Sequence, residues 1–284
     1  MYNNIRQRIA YLIRSKLFWL TVVLCAFIGG KDGYDHKKQY LENLDMQERW
    51  EGKGVLIEVY QAVTINFDTL LGFMIITGLF ILLSIEHEKR CGIYRNRLQS
   101  GLSKIQIYIT ELTASMFTIT ISLAALVTTN IIFAAEIQEW IKGKYIIAFI
   151  IIYLLVNFSW ASILVLFSML MDSFVSTVVV IAVFVFICVM GLEFLHEKML
   201  DTELSGGEVR QIELLMYSNP IGMAISAEDL EDTVGYLQRD NDDVDYGFYK
   251  RFGKTIKLFP LFSMVQFSLI TLCGIMIFKR KNLV

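Results

Sequence analysis

A chain of 284 residues that is 55% hydrophobic, with two prolines, a mean hydropathy of +0.52 and a formal net charge of −2, is too apolar for an ordinary soluble domain. Its charges sit in blocks between long apolar runs, the pattern of an all-α polytopic membrane protein. The weak net charge gives no basic footprint for nucleic acid, and no nucleic-acid partner is expected.

Residues 1–16 predict a helix with Met1, Tyr2, Ile5, Ile9, Leu12 and Ile13 on one face, Gln7 and Arg14 pointing away, and Arg6 and Arg8 flanking. That pattern describes an N-terminal amphipathic helix lying in the headgroup layer. The first apolar run, LFWLTVVLCAFIGG at 17–30, is short for a hydrocarbon core of about 30 Å. It spans as 12–30 if Arg14 and Lys16 snorkel to the headgroups. Gly29-Gly30-Lys31-Asp32 offers no small-residue cleavage site, so a retained anchor is expected rather than a signal peptide.

An outer loop at 31–66 and a span at 67–85 follow. The next connection, 86–111, is charged and compact. Glu86 and Arg90 stand at i,i+4, which supports helix, and Gly101 breaks the chain. Ser103 and Gln106 have capping-box spacing. A helix, a turn and a helix are predicted, with Arg95 and Arg97 readable either as topology signals or as parts of a docking element. Spans at 112–135 and 145–171 come next, then a tight hairpin at Asp172-Ser173, a span at 174–195, a long outer loop at 196–257 and a last span at 258–278. No repeat or low-complexity linker interrupts the chain, so residues 1–284 read as one transmembrane domain.

The long loop contains LSGGE at 204–208, one letter from the nucleotide-gripping signature of ATP-binding-cassette (ABC) ATPases. A nucleotide site also needs a G-x-x-x-x-G-K-[ST] phosphate loop, and the chain has none. Ser205 with Glu208, and Ser226 with Asp229, instead have capping-box spacing ahead of apolar stripes, so short helices are predicted in this loop.

Orientation follows from the Lys and Arg distribution. With the N-terminus inside, the inner segments hold twelve basic residues in 50 positions and the outer segments fourteen in 107. Half of the outer ones lie in the long last loop, which carries little weight. Both termini are therefore expected in the cytoplasm, with Lys250, Arg251, Lys254 and Lys257 resisting that assignment. Cys25, Cys188 and Cys273 fall in spans and Cys91 in the 86–111 loop, so no outer disulfide framework is expected.

No catalytic set emerges. His87-Glu88 and His196-Glu197 each begin an H-E-x-x-H pattern that fails at Cys91 and Leu200. The run DNDDVD at 240–245 lacks the ligand order of a calcium loop. Charged residues in spans are functional candidates by default. Asp68 and Glu193 lie near span ends and read as interfacial anchors, with an export exit as the alternative. Asn157 falls mid-span beside Ser159, Trp160 and Ser162; helix–helix glue is preferred there and a cavity lining is the alternative. Asn157, Trp160, Asp68 and Glu193 are thus the candidate pathway residues.

The layout resembles permease subunits of ABC type-2 exporters. The local likeness lies in the 86–111 loop, where Glu86, Glu88, Gly92, Leu98, Gly101, Ser103 and Lys104 fit the family pattern. Ile93 replaces a usual Thr, and Glu111 stands where Lys is common. The resemblance implies a coupling helix between spans two and three that docks on a separate ATPase, with Arg95 and Arg97 on it. It also implies a second permease copy, re-entrant helices in the last outer loop, and a bacterial cell membrane. ATP and magnesium would belong to the partner, and this chain would bind no cofactor and catalyse nothing itself. Its 20 Phe and 12 Met suit a hydrophobic or amphipathic, peptide-like cargo, and equally suit lipid contact. An ion-coupled secondary transporter or channel is the competing class. It calls for midplane charges or broken helices, which the spans lack.

Overall fold

The computed structural model describes residues 2–50, 67–134, 143–199, 211, 212, 214–216, 218, 219 and 259–280. These form eight main helices: α1 (Tyr2–Arg14), α2 (Lys16–Trp50), α3 (Phe67–Arg90), α4 (Ile93–Gln99), α5 (Lys104–Phe133), α6 (Gly143–Leu170), α7 (Phe174–Met199) and α8 (Phe259–Arg280). Among the described residues there is no strand. Six helices are long and apolar enough to cross a bilayer, as expected of a multi-pass membrane protein. Residues 91–103 lie at one end of the bundle, here the elbow end; residues 31–38 lie toward the far end.

The first span departs from expectation. It runs over Lys16–Lys38 rather than 12–30, and α2 continues to Trp50 through residues assigned to a loop. The chain breaks at Ser15, where Trp19 Nε1 donates to Ile13 O at 2.7 Å and satisfies a carbonyl at the end of α1. The missing length comes from the other side, where Asp32 and His36 turn into the bundle while Lys31 and Lys38 stay exposed. Asp32 is buried and accepts from Thr69 Oγ1 of α3 (2.9 Å) and Asn130 Nδ2 of α5 (2.8 Å). His36 Nε2 stands 3.7 Å from the same carboxylate. Gly29 and Gly33, one helical turn apart, let α2 lie directly on α5: a Cβ on either would stand against Leu126 O or Asn130 O. This is the small-xxx-small spacing by which membrane helices approach closely.

The other shifts are at the elbow end. The span read as 67–85 continues unbroken to Arg90, and the one read as 112–135 begins at Lys104. Only 91–103 lies outside α3 and α5. The helices reach further because their charged residues pair with one another or with neighbouring helices. The remaining spans agree to within a few residues.

α6 is the central helix. It packs against α3, α5, α7 and α8, and Tyr153, Val156, Ala161, Leu164 and Val165 are buried along it. Trp160 Nε1 donates to Met74 O of α3 at 3.3 Å, and Ser159 Oγ donates to Ser263 O of α8 at 3.1 Å. α7 and α8 instead present much of their surface outward, with Val175, Val179, Phe186, Leu261, Leu269 and Met276 exposed as a bilayer requires. Of the 196–257 loop, LSGGE, both predicted capping boxes, the acidic run and the basic cluster lie outside the described residues. The described residues between 211 and 219 reach back to α7 and α8. Asn219 Nδ2 donates to Cys188 O (2.8 Å), and Ser218 O accepts from Gln266 Nε2 (3.0 Å).

Candidate functional site

Four helices meet at the elbow end around a buried square of charges. α1 supplies Arg8, the last turn of α3 supplies Glu88, α4 supplies Arg97 and the second turn of α5 supplies Glu111. Arg8 donates to Glu111 Oε2 from Nε (3.0 Å) and Nη2 (2.8 Å), and Nη2 also donates to Ser84 Oγ (2.9 Å). Arg8 Nη1 meets Glu88 Oε1 at 2.8 Å as a charge contact, off the line of a hydrogen bond. Arg97 Nη1 lies 3.0 Å from Glu88 Oε2 and 2.9 Å from Glu111 Oε1. Each carboxyl group therefore touches both guanidinium groups, two acidic side chains against two basic ones.

Burial sets what this arrangement is worth. Arg8 and Glu88 are 2% exposed and Glu111 1%, while Arg97 is 20% exposed. A buried, complete ion network adds little net stability over an apolar packing of the same shape. Removing one member leaves an uncompensated charge and costs about 3–5 kcal/mol. The square is thus a registration device: α1, α3, α4 and α5 come together in one arrangement or leave charge stranded. Burial disfavours the charge on Arg8, but Glu111 and then Glu88 outweigh it and hold its pKa above the ordinary value. Tyr94 of α4 packs beside the square, with the Arg97 guanidinium 5.8 Å from its ring centre. Burial, followed by the two carboxylates, pushes its phenol well above the ordinary range. The crevice beside Arg8, lined also by Ser84, Ser115 and Thr118, holds only about 10 Å³, room for a single water. The square is a joint between helices, not a ligand pocket.

The backbone around α4 is built to match. Gly92 (φ 67°) and Gly101 (φ 90°) occupy the left-handed region on either side of the helix, where a side chain is strained. α3 closes with Cys91 N–H on His87 O and Gly92 N–H on Lys89 O, both 3.0 Å. The expected capping box opens α5. Gln106 N–H donates to Ser103 Oγ (3.2 Å), and Ser103 N–H donates to Gln106 Oε1 (2.9 Å).

The sequence-predicted residues divide accordingly. Glu88 and Arg97 belong to the square, Gly92 and Gly101 bracket α4, and Leu98 packs its half-buried side chain against the core. Glu86 pairs with Arg90 (3.0 Å) and lies 3.9 Å from Lys89. Lys104 Nζ donates to Lys279 O at the end of α8 (3.3 Å). Arg95 is exposed and stands apart from the square.

Of the candidate pathway residues, Asn157 is buried and donates to Tyr153 O of its own helix, with no hydrogen-bond partner on Oδ1. The cross-helix bonds expected of it are made by Ser159 and Trp160. Asp68 and Glu193 hold helical positions in α3 and α7, and their side chains lie outside the described residues.

Sequence reading misses Arg8 as a partner, because the residue reads as a flanking position of α1. In the fold Arg8 and Leu12 are the two residues of α1 that are fully buried. The available signal is a cation one turn from Leu12, on the stripe that also carries Ile5. Glu111 stands out only as a departure from a pattern, and Tyr94 and Lys89 give no signal. No family model, curated protein or solved structure matches the chain.

Proposed function

We propose that the chain is the transmembrane permease subunit of an ATP-driven ABC type-2 exporter, with the 86–111 elbow as its coupling element in the cytoplasm. The observation that carries this reading is the elbow itself. A seven-residue helix is fixed to three other helices by a buried ion square, yet keeps Arg95, Asn96 and Gln99 outward, free for a partner. A connection that only joined two spans has no need of four desolvated charges. A force applied to α4 from outside would be passed through Glu88, Glu111 and Arg8 to three helices at once.

In this reading α1 lies at the inner headgroup layer, both termini are cytoplasmic, and the membrane is a bacterial cell membrane. The 211–219 piece, bonded to α7 and α8 within their apolar lengths, is part of a re-entrant exit structure. A second permease copy completes the pathway, two ATPase subunits supply ATP and magnesium, and a hydrophobic or amphipathic, peptide-like molecule is the cargo. The permease itself performs no catalysis. The competing class, an ion-coupled transporter or channel, would find its charges in the middle of the bundle; among the described residues the buried ion contacts sit at its ends.

Thiol labelling of intact cells and inverted membrane vesicles tests the orientation on which docking depends. With Cys25, Cys188 and Cys273 replaced by Ala, exposed Cys91 should react with a membrane-impermeant maleimide in inverted vesicles only. Reaction in intact cells puts α4 beyond the reach of any cytosolic ATPase and overturns the proposal.

A further inference from the structure

The last turn of α3 faces two ways. Glu88 joins the square, while the neighbouring Lys89 points to the other connection at the elbow end, the hairpin between α6 and α7. Its Nζ donates to Ser168 O and, at 2.7 Å, to Met171 O. These carbonyls sit at the C-terminus of α6, where the intrahelical ladder has run out and a cation is favoured by the helix dipole. Lys89 is largely buried, with Glu86 Oε2 3.9 Å from its ammonium group. The hairpin 171–173 is otherwise short and ends in the Ser173 cap of α7, whose Oγ accepts from Ser176 N–H (3.2 Å).

We propose that Lys89 is a strut: it carries displacement of the 93–99 element to the central helix α6, so that the two connections at the elbow end move together. Glu88 and Lys89 are adjacent on one helical turn, so a shift that rotates this turn to follow Arg97 also moves the Lys89 ammonium. Ser168 and Met171 are tied to that ammonium, and α6 in turn packs against α3, α5, α7 and α8. The strut adds a direct polar tie from the elbow to the end of α6, which carries no member of the square. Lys89 is a positioning residue under this inference, acting through α6. Its consequence for transport rests on the proposed function; the mechanical link does not.

The test is a two-residue cycle on the purified chain in detergent, with no ATPase present, read by hydrogen–deuterium exchange of the peptide covering 166–173. Arg97→Gln perturbs α4 from the far side of Glu88. In the Lys89 background it should raise exchange at 166–173 about two- to fivefold, the range of one helix-end cation. In the Lys89→Met background it should add nothing to the rise that Lys89→Met itself causes. Lys89→Arg, which keeps donors for the carbonyls, should restore the response to Arg97→Gln. A mere structural cap would give equal increments from Arg97→Gln in both backgrounds, or none in either, and both results overturn the strut. If Lys89→Met is not monodisperse, Lys89→Gln gives the same comparison. Because the readout needs no partner, its failure is distinct from failure of the docking proposal, which the Cys91 labelling decides.

Discussion

Replacing Arg8 by Met isolates the energetics of the square. Methionine preserves most of the volume and removes the charge, leaving Glu88 and Glu111, 2% and 1% exposed, to share the single guanidinium of Arg97. The loss is that of breaking a buried ion pair from one side, about 3–5 kcal/mol. At about 2–4 °C per kcal/mol for a protein of this size, the melting temperature should fall by roughly 10 °C. Glu111→Gln alone should cost a similar amount, because it leaves two cations on one carboxylate. The double variant Arg8→Met/Glu111→Gln restores one carboxylate to one guanidinium, and the introduced amide can still accept from Arg97. Its melting temperature should therefore lie above the value that the two single losses would give if they added, with a coupling energy of about 2 kcal/mol. Thermal unfolding of the four proteins in one detergent, followed by loss of the monodisperse elution peak, measures this directly. If the double variant loses the sum of the two single losses, the charges are not paired as described and the square is not a joint.

Two further outcomes test the packing by the same melting assay. Gly29→Ala should force α2 from α5, because its Cβ would meet Leu126 O, and should cost about 1–3 kcal/mol, as overpacking does; Gly72→Ala, whose Cβ would lie 3.9 Å from Ile28 Cδ1, should be tolerated. Gly92→Ala should cost about 1–2 kcal/mol through left-handed backbone strain alone, since nothing lies within 4 Å of the added Cβ, and Gly92→Asn should recover part of it. Equal loss from Ala and Asn would show that the position is sensitive for another reason.

The apolar runs are sufficient to locate five of the six spans closely at one end or both, because a bilayer imposes one length on every helix that crosses it. Local chemistry is also legible: the Ser103–Gln106 box is written in four adjacent residues and needs no tertiary context. Sequence and structure part where a charge does not mean solvent. Lys31, Asp32 and His36 look like the start of a loop. Asp32 is instead held in the bundle by hydrogen bonds from Thr69 and Asn130, residues 37 and 98 positions away in the chain. The same equation of charge with water cuts the third span at 112, because Glu111 is stabilised in the bundle by Arg8, 103 positions distant. A single sequence cannot pair such residues: each partner is an ordinary polar or charged side chain, and only the fold makes them neighbours. Lys89 is the extreme case, since the groups that tie it to α6 are backbone carbonyls and carry no side-chain signature.

The two polar clusters constrain how the bundle can move. Glu111 and Asn130 both belong to α5, and nineteen residues separate them, about 28 Å of helix. That is close to the thickness of the hydrocarbon core, so α5 is anchored by buried polar contacts near both faces of a bilayer. Between the anchors, the Gly29 and Gly33 contacts hold α2 against it, and among the described residues these two helices share the most extensive interface. α1 is fastened to the same body through Arg8. A load on α4 meets a rigid wall on the α5 side. On the other side α6 is held to α3 by Trp160 and Met74 within the bundle and by Lys89 at its end. α7, with its largely outward surface, packs on α6, and α8 packs on α6 and, less extensively, on α5. α6 also packs directly on α5, and Lys104 of α5 donates to Lys279 O of α8, so a displacement of the elbow reaches α6, α7 and α8 through α5 as well as through α3 and Lys89.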